Sequence, residues 1–440
     1  MTCNHESIRG QTVKLSTVFL FNGRGFFQGH FFIHLKEGTM NRIIRKLTLA
    51  IVAVFLVTGS FLTAEAKSIK VGAAINLTGP ASTWGQFHAK GQQDYFRYVN
   101  EVKGGVGGQK IEMILVDTGY KVPEAVAAVR KFAIQDKVDM IATWGAGEGL
   151  AAKPIIQQYG IPTINYSTSW ELLEPPIHYM YLPFGSYKMD SYAILEYIRT
   201  IHKGKEPPKV GLLTYNNAYG RSIHQPCREY ASKYKINIVA IEEFPPKTLD
   251  LTTELLRLQK RGAEYIFMQM LPATIITAFK SSDRINYHPA FFGTWTSTDP
   301  DFFKLGKGLI KDRLRIQFPG GLPSDRSSGM KLMKELWKRY GTVSKFDASY
   351  WEGVVVAMIM EKAFIKSQQI YKEINRDTIN KTLESFRNED FGGLVPNITY
   401  TTTDHGASFK ARIVKVGEDG SFTPLTNFYI PGKEKIKLIR

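Results

Sequence analysis

From residue 69 onward, short apolar segments alternate with longer amphipathic ones, and this alternation constrains the fold more than any other feature. The segments predicted as strands are 69–75, 111–116, 138–142, 161–165, 209–215, 236–242 and 265–269. Most are separated by one predicted helix each, which favours parallel pairing through right-handed crossovers. Two such runs, separated by residues 179–188, predict an α/β protein with two doubly wound parallel-sheet lobes.

A predicted export signal precedes this region. Residues 40–46 form a short basic head, residues 47–62 are apolar, and Ala64, Glu65 and Ala66 form an A-x-A cleavage site. We therefore expect cleavage after Ala66 and a periplasmic mature protein. A membrane anchor is the alternative, although residues 47–64, about 18 residues, are at the lower limit for a span.

The first 39 residues are unusual because they precede that signal. A secretory signal places its basic head near the N-terminus, and here the head begins at Met40. We therefore expect residues 1–39 to be an extension upstream of the true start, or a disordered tail.

The composition excludes several classes of protein. Residues 67–440 hold 50 Lys and Arg against 37 Asp and Glu, a net charge of +13, and these charges form no dense tract typical of nucleic-acid binding. Only Cys227 remains after cleavage, so no intramolecular disulfide is possible. No metal, phosphate or nucleophile motif occurs, and we expect neither a cofactor nor a metal.

Two possible catalytic arrangements are weak. Glu242 and Glu243 are adjacent on a predicted strand and point to opposite faces, so they cannot act as a carboxylate pair. Cys227 follows His224 by three residues, but a packed or surface thiol is favoured over a nucleophilic dyad. We therefore predict a binding protein and no enzyme.

Short motifs in a fixed order provide a resemblance to a known family. They are Ile69-Lys-Val-Gly with Leu77-Thr-Gly-Pro80, Val106-Gly-Gly-Gln-Lys-Ile111, Asp117 with Pro123-Glu-Ala-Val126, Gly160-Ile-Pro162 with Ser167-Thr-Ser169, Asn217-Ala-Tyr-Gly220, Asp250-Leu-Thr-Thr253, and Gly392-Gly393 with Asp404-His-Gly406. Their order over residues 69–430 resembles the leucine/isoleucine/valine-binding protein family, the exported receptors of branched-chain amino-acid ABC importers.

The resemblance implies a type I periplasmic-binding fold with a three-crossover hinge. Lobe one would comprise residues 67–185 and 318–405, and lobe two residues 186–317 and 406–440. A ligand would lie between the lobes at the carboxyl ends of the strands, and the lobes would close around it by hinge bending. The implied partners are a small ligand and the membrane subunits of an ABC permease, and we expect a monomer.

Three loops of lobe one carry the predicted ligand contacts. The candidates are Trp84 in the first loop, Trp144, Gly145, Ala146 and Gly147 in the second, and Tyr166, Ser167 and Ser169 in the third. Family members commonly have a serine in the second loop, so Ala146 and Gly147 leave only backbone N–H groups there, at a helix N-terminus that favours an anion. Ser167 and Ser169 are expected to contact the ligand carboxylate and amine, and the alternative is that they only cap a helix.

Lobe two departs from the family pattern. The family's ammonium-binding acid aligns with Trp295, and a second position, often tyrosine, aligns with Leu271. A buried ammonium needs a partner, so either Glu148, Asp299 or another acid replaces the family's acid, or the ligand has no amine.

Four tryptophans fall on predicted cleft loops, and for two of them packing between the lobes is the alternative. They are Trp84, Trp144, Trp170 and Trp295, with the alternative applying to Trp144 and Trp170. We predict amino-acid transport, with a branched-chain or other hydrophobic amino acid as ligand. The alternatives are an aromatic or aliphatic carboxylate without an amine, or a sensory ligand-binding module.

Overall fold

Strands β1 (Gln11–Leu20) and β2 (Phe26–Leu35) pair antiparallel and belong to a different unit from Lys67–Arg440. The computed structural model describes residues 11–20, 26–35, 67–343, 346–407 and 410–439. The predicted signal peptide, residues 40–66, lies outside the described residues. Within them, no helix combines the length and apolar character that crossing a membrane requires.

The first sheet of the main unit has five strands, all parallel. They are β3 (Ile69–Ile75), β4 (Ile111–Asp117), β5 (Met140–Thr143), β6 (Thr163–Asn165) and β7 (Met180–Tyr181), in the order β4-β3-β5-β6-β7. The helices that follow its strands are α1 (Ser82–Glu101), α2 (Val122–Lys131) and α3 (Ala146–Tyr159). Strand β3 is almost entirely buried, as expected for a strand covered on both faces.

The second sheet has seven strands. They are β8 (Lys209–Tyr215), β9 (Asn237–Phe244), β10 (Tyr265–Gln269), β11 (Ala290–Gly293), β12 (Leu314–Phe318), β13 (Arg412–Val416) and β14 (Phe422–Pro424). The strand order is β9-β8-β10-β11-β12-β13-β14, in which the first five are parallel and the last two are added antiparallel. Its helices are α4 (Tyr187–Ile201), α5 (Ala218–Arg221), α6 (His224–Tyr234), α7 (Thr252–Lys260), α8 (Pro272–Arg284) and α9 (Pro300–Leu305).

After β12 the chain forms three helices: α10 (Ser328–Tyr340), α11 (Ala348–Tyr371) and α12 (Arg376–Glu384). Helices α10 and α11 contact α1, and α12 contacts α11. Helix α11 lies directly against α1 because both have glycine at the contact. A Cβ at Gly91 would lie 2.2 Å from the Tyr350 carbonyl oxygen, and one at Gly353 would lie 2.1 Å from that of His88. We use lobe one for the first sheet with α1–α3 and α10–α12, and lobe two for the second sheet with α4–α9.

Three segments cross between the lobes: the first follows β7, the second follows β12, and the third precedes β13. These segments contact one another. Tyr400 Oη donates to the Leu182 carbonyl oxygen at 2.8 Å, joining the first and third segments. Gly321 N donates to the Leu394 carbonyl oxygen at 2.8 Å, joining the second and third. The predicted α/β fold with two doubly wound lobes and a three-crossover hinge is confirmed.

Predicted element boundaries differ from the observed ones at helix ends. The predicted strand 138–142 begins at Met140, because residues 132–136 form a π-helical turn and Lys137 then adopts a left-handed conformation with φ 52°. The helix that follows β5 begins at Ala146, because Gly145 at φ 75° forms its N-cap.

Candidate functional site

A cavity lies between the two lobes, with an empty volume of about 380 Å³ that includes some space open to solvent. The lining residues are Trp84, Tyr120, Trp144, Gly145, Tyr166, Ser167, Tyr187, Tyr219, Leu271, Trp295, Thr296 and Glu352. Seven of these twelve side chains are tryptophan or tyrosine, so the cavity favours a ligand with a substantial apolar part.

The strand order explains why these residues meet. Trp144 and Tyr166 directly follow β5 and β6 of lobe one. Tyr219 lies in the loop and short helix after β8, while Leu271 and Trp295 follow β10 and β11 of lobe two. All five positions are at carboxyl ends of parallel strands, where open α/β sheets bind ligands.

Aromatic contacts join the two lobes across the cavity. The rings of Trp84 and Trp295 have centroids 5.7 Å apart at an interplanar angle of 59°. Phe184, in the first crossover, meets Trp295 edge-on at 5.2 Å. These contacts connect α1 of lobe one with the loop after β11 of lobe two, so the structure has the two walls in contact.

Four lining residues carry buried polar atoms without a hydrogen-bond partner in the described part of the chain. They are Tyr166 (Oη), Ser167 (Oγ), Trp295 (Nε1) and Glu352 (Oε1). Burial raises the pKa of the Asp190 carboxyl well above its usual range, and the nearby Trp295 indole opposes that rise without making a hydrogen bond of ordinary geometry. Because unpaired buried polar groups are costly, these atoms are candidates for contacts to a bound molecule.

Glu352, on α11, is the acid that lines the cavity. Trp84 Nε1 donates to its Oε2 at 2.9 Å, and His88 Nδ1 lies 3.0 Å from the same oxygen. Burial raises the pKa of Glu352 well above its usual range, and burial lowers the pKa of His88 well below its own. The ring of His88 is therefore neutral near pH 7 and supplies no positive charge to this carboxyl.

The two acids considered from the sequence lie outside the lining. Glu148 accepts a hydrogen bond from Thr118 Oγ1 at 2.8 Å, and burial raises its pKa to about 7. Asp299 caps α9 by accepting from Phe302 N at 2.7 Å, and burial likewise raises its pKa to about 7.

Seven of the ten predicted ligand-binding residues line the cavity. They are Trp84, Trp144, Gly145, Tyr166, Ser167, Leu271 and Trp295. Trp84 lies in the first turn of α1 and not in the preceding loop. Gly145 favours glycine because its φ is 75°, and a Cβ there would also lie 1.9 Å from Glu148 Oε2.

The other three predicted residues are not brought to the lining. Ala146 is buried in the core of lobe one, and Gly147 faces Val122 and Ala218. The Ser169 hydroxyl donates to Glu171 Oε2 at 2.5 Å, because the short 3-10 helix 170–173 turns Glu171 towards it.

Five lining residues were not predicted: Tyr120, Tyr187, Tyr219, Thr296 and Glu352. Sequence signals existed for two of them. Tyr219 belongs to the Asn217-Ala-Tyr-Gly220 motif, and Thr296 is next to Trp295. Nothing in the sequence connects Glu352 with Trp84.

Trp170 and the pair Cys227 and His224, both considered from the sequence, lie away from the cavity lining. Trp170 lies outside the cavity, and its Nε1 donates to the Ser222 carbonyl oxygen at 3.2 Å. Cys227 is fully buried, which raises the pKa of its thiol to about 12, while His224 Nε2 lies 2.9 Å from Thr214 Oγ1. Among the described residues, no group of three or more His, Cys, Asp or Glu is placed to hold a metal ion.

Two known proteins are similar to this chain in sequence. A Leu/Ile/Val-binding protein homolog 7 from Brucella suis is 20% identical over 307 residues, covering 67% of this chain and 76% of the relative. The leucine-specific-binding protein of Salmonella typhimurium is 23% identical over 229 residues, covering 52% of this chain and 60% of the relative.

Solved structures share the fold. A branched-chain amino acid ABC transporter protein from Thermus thermophilus with bound valine is similar, with a TM-score of 0.78 and 25% identity. That match covers 83% of this chain and 97% of the other. The fatty acid ABC transporter substrate-binding protein from Thermomonospora curvata has a TM-score of 0.77 and 22% identity, covering 84% of this chain and 95% of the other.

The resemblance found in the sequence to leucine/isoleucine/valine-binding proteins is confirmed by these relatives. The model of the family described as periplasmic binding protein matches residues 68–421. The chain therefore belongs to the periplasmic binding protein family.

Proposed function

We propose that this protein is the extracytoplasmic solute receptor of an ABC importer and that it captures a branched-chain or other hydrophobic amino acid between its lobes. The observation that carries this proposal is the aromatic cavity at the carboxyl ends of two parallel sheets, in a chain of this family. Two of the named proteins, the leucine-specific-binding protein and the valine-bound protein from Thermus thermophilus, support the same ligand class here.

The cavity residues suggest which groups contact each part of the ligand. Its apolar side chain packs among the indole and phenol rings, each favourable aromatic pair adding about 0.5–1.5 kcal/mol beyond the buried area. Its carboxylate meets the Ser167 hydroxyl and the Trp295 indole N–H, which have no other hydrogen-bond partner in the described residues.

Closure of the lobes retains the ligand. The crossover segments connect the lobes, and Trp84 contacts Trp295 across the cavity. We propose that the lobes hinge apart at these crossovers to admit the ligand, and that the closed form docks on the permease. We further propose lobe boundaries at 67–185 with 318–405 and 186–317 with 406–440, a monomer, and export to the periplasm by cleavage after Ala66.

Thermal unfolding with and without ligand tests the proposed ligand class. Leucine, isoleucine, valine and phenylalanine are added separately to the purified protein at increasing concentration. A ligand at 100 times its Kd stabilises the folded state by about 2.7 kcal/mol, so Tm rises with concentration for a true ligand. No rise with any hydrophobic amino acid or amine-free carboxylate would contradict the receptor function.

Ser167→Ala and Ser169→Ala form a matched pair for the site. The Ser167 hydroxyl faces the cavity, whereas the Ser169 hydroxyl, two residues away, pairs with Glu171. We expect Ser167→Ala to weaken leucine binding about 5- to 10-fold, equivalent to one hydrogen bond, and Ser169→Ala to leave it within twofold. Equal effects would contradict the placement of the carboxylate.

A carboxylate without an amine is the second candidate. Trp295 occupies the position where the family resemblance predicts the acid that would pair with an amine. Stabilisation by benzoate or octanoate, with none by leucine, would favour this candidate and exclude the amino acid.

Two other classes of function are disfavoured. The family consists of solute-binding proteins, and the buried Cys227 thiol has a pKa too high for a nucleophile near neutral pH. We therefore propose that the protein does not turn over its ligand. A sensory role would require a signalling partner in place of a permease, and co-purification with the transmembrane subunits of an importer distinguishes the two.

A further inference from the structure

The side chain of Glu352 presents an oxygen that nothing in the described protein satisfies. Its Oε1 is buried without a hydrogen-bond partner, and the whole residue is 0% exposed. The other oxygen, Oε2, is held by Trp84 Nε1 at 2.9 Å and lies 3.0 Å from His88 Nδ1. The carboxyl is therefore fixed in position, with one oxygen still available to the cavity it lines.

No cation of the described residues balances this carboxyl. Its one ion-pair neighbour is His88, whose pKa is lowered by burial, and no described lysine or arginine lies within salt-bridge distance of it. A buried carboxylate without a cation is costly, whereas a cation with good hydrogen-bond geometry offsets that cost.

The close contact between α1 and α11 fixes the position of the Glu352 carboxyl. Gly91 and Gly353 allow α1 and α11 to pack closely, so Trp84 and His88 reach Glu352 directly. A hydrogen-bonded acid on two closely packed helices is well placed to receive a ligand group with little reorganisation.

We propose that Glu352 Oε1 receives the ammonium group of the bound amino acid. The acid for the amine then comes from helix α11 of lobe one, whereas the sequence comparison expected it after β11, where Trp295 stands. This inference rests on the proposed function and makes it more specific: the ligand has to carry a protonated amine beside an apolar group.

The test compares leucine with 4-methylpentanoate, which is leucine without its amine, by calorimetric titration. Wild-type protein is expected to bind leucine at least 30-fold more tightly. In Glu352→Gln the preference is expected to fall below threefold, because the neutral amide cannot pair with ammonium. Glu361→Gln is the matched control.

The control removes a buried carboxyl from the same helix. Glu361 lies nine residues further along α11, about 13–14 Å at 1.5 Å per residue, and pairs with Tyr95 Oη at 2.6 Å and Lys103 Nζ at 2.8 Å. The Glu361→Gln variant should keep the wild-type preference for leucine over 4-methylpentanoate. Circular dichroism checks that each variant is folded. Should Glu352→Gln not fold, Glu352→Asp retains the charge one methylene shorter and is expected to lower the preference about tenfold.

The possible outcomes are distinguishable. A folded Glu352→Gln or Glu352→Asp variant that keeps the full preference for leucine overturns the role of Glu352 and leaves the receptor function intact. Wild-type protein that binds 4-methylpentanoate as tightly as leucine also overturns it, and favours the amine-free ligand. Binding of no hydrophobic amino acid or carboxylate contradicts the proposed function itself.

Discussion

The two walls of the cavity differ in how their polar groups are satisfied. On lobe one, Tyr166, Ser167 and Glu352 each have a buried polar atom without a partner in the described residues. On lobe two, Tyr219 Oη is paired with Thr296 Oγ1 at 2.7 Å, and of the fully buried polar atoms of the described lining residues there only Trp295 Nε1 lacks a partner.

This difference indicates a division of labour. A wall with unsatisfied polar atoms gains most from a polar ligand, because each new hydrogen bond removes an existing penalty. A wall whose hydroxyls are already paired contributes apolar surface. We infer that lobe one supplies most contacts to the polar end of the ligand, and that lobe two adds the Trp295 indole N–H and mainly encloses the side chain.

The largest effect on stability is expected at the contact between α1 and α11, which positions Glu352 in the lobe-one wall. Gly353→Ala places a Cβ 2.1 Å from the His88 carbonyl oxygen, and separating the helices should cost about 3 kcal/mol of unfolding free energy. Gly147→Ala is the control, since its Cβ would make only ordinary contacts from 3.6 Å. Urea denaturation that shows equal stability for both variants would contradict this close contact between the helices.

Next in size is the contrast between two tryptophans that face each other. Trp84→Phe keeps a ring and removes the donor to Glu352, so leucine affinity should fall about 10- to 100-fold, equivalent to about 1.5–3 kcal/mol for a charge-assisted hydrogen bond. Trp295→Phe should cost less than 10-fold, since it removes only one neutral N–H contact to the proposed carboxylate. Titration calorimetry measures both, and a reversed order would contradict the division between the walls.

A pH effect is expected from Glu148, in the first turn of α3. Burial raises its pKa to about 7 from 4.5, so between these values the folded state keeps a proton that the unfolded state has released. Stability should therefore fall as pH rises from about 4.5 to 7, with a contribution of about 1–3 kcal/mol from this group. Urea denaturation at pH 5 and pH 8 measures it.

Glu148→Gln should reduce that fall, since an amide does not titrate. Asp299→Asn changes the corresponding acid of lobe two. Burial likewise raises the pKa of the Asp299 carboxyl to about 7, and asparagine can still cap the helix. An unchanged pH dependence in Glu148→Gln would contradict the assignment of the effect to lobe one.

The smallest effect separates two tyrosine hydroxyls. Tyr166→Phe removes a hydroxyl that has no partner, so the unliganded protein should be unchanged or up to about 1 kcal/mol more stable, while leucine affinity falls a few-fold. Tyr219→Phe breaks the pair with Thr296 and should cost about 1 kcal/mol of stability with affinity within twofold. The same sign of stability change in both variants would contradict the comparison.

The sequence predicted the parts of the fold that depend on local pattern. Strands β3, β8 and β10 have the predicted bounds, because each is a short apolar run between polar turns. Lining residues that directly follow a strand, such as Trp144 and Tyr166, were predictable because parallel strands bring their carboxyl ends together.

Residues placed by packing between distant segments were not predictable in this way. Glu352 is 268 residues from Trp84 and lies within a helix of mostly buried residues, so its role depends on a helix contact that no local pattern encodes. Ser169 is a different case, because the residue that directs it is close in sequence. Its hydroxyl pairs with Glu171, two residues later, and not with the cavity.

The central claim is that a hydrophobic amino acid lies between the two walls with its amine on lobe one. A crystal structure of the protein with leucine tests it most directly. The account predicts leucine between Trp84 and Trp295, with its nitrogen within about 3 Å of Glu352 Oε1, a normal hydrogen-bond distance. Leucine bound elsewhere, or in the cavity with its amine directed away from Glu352, would contradict the account.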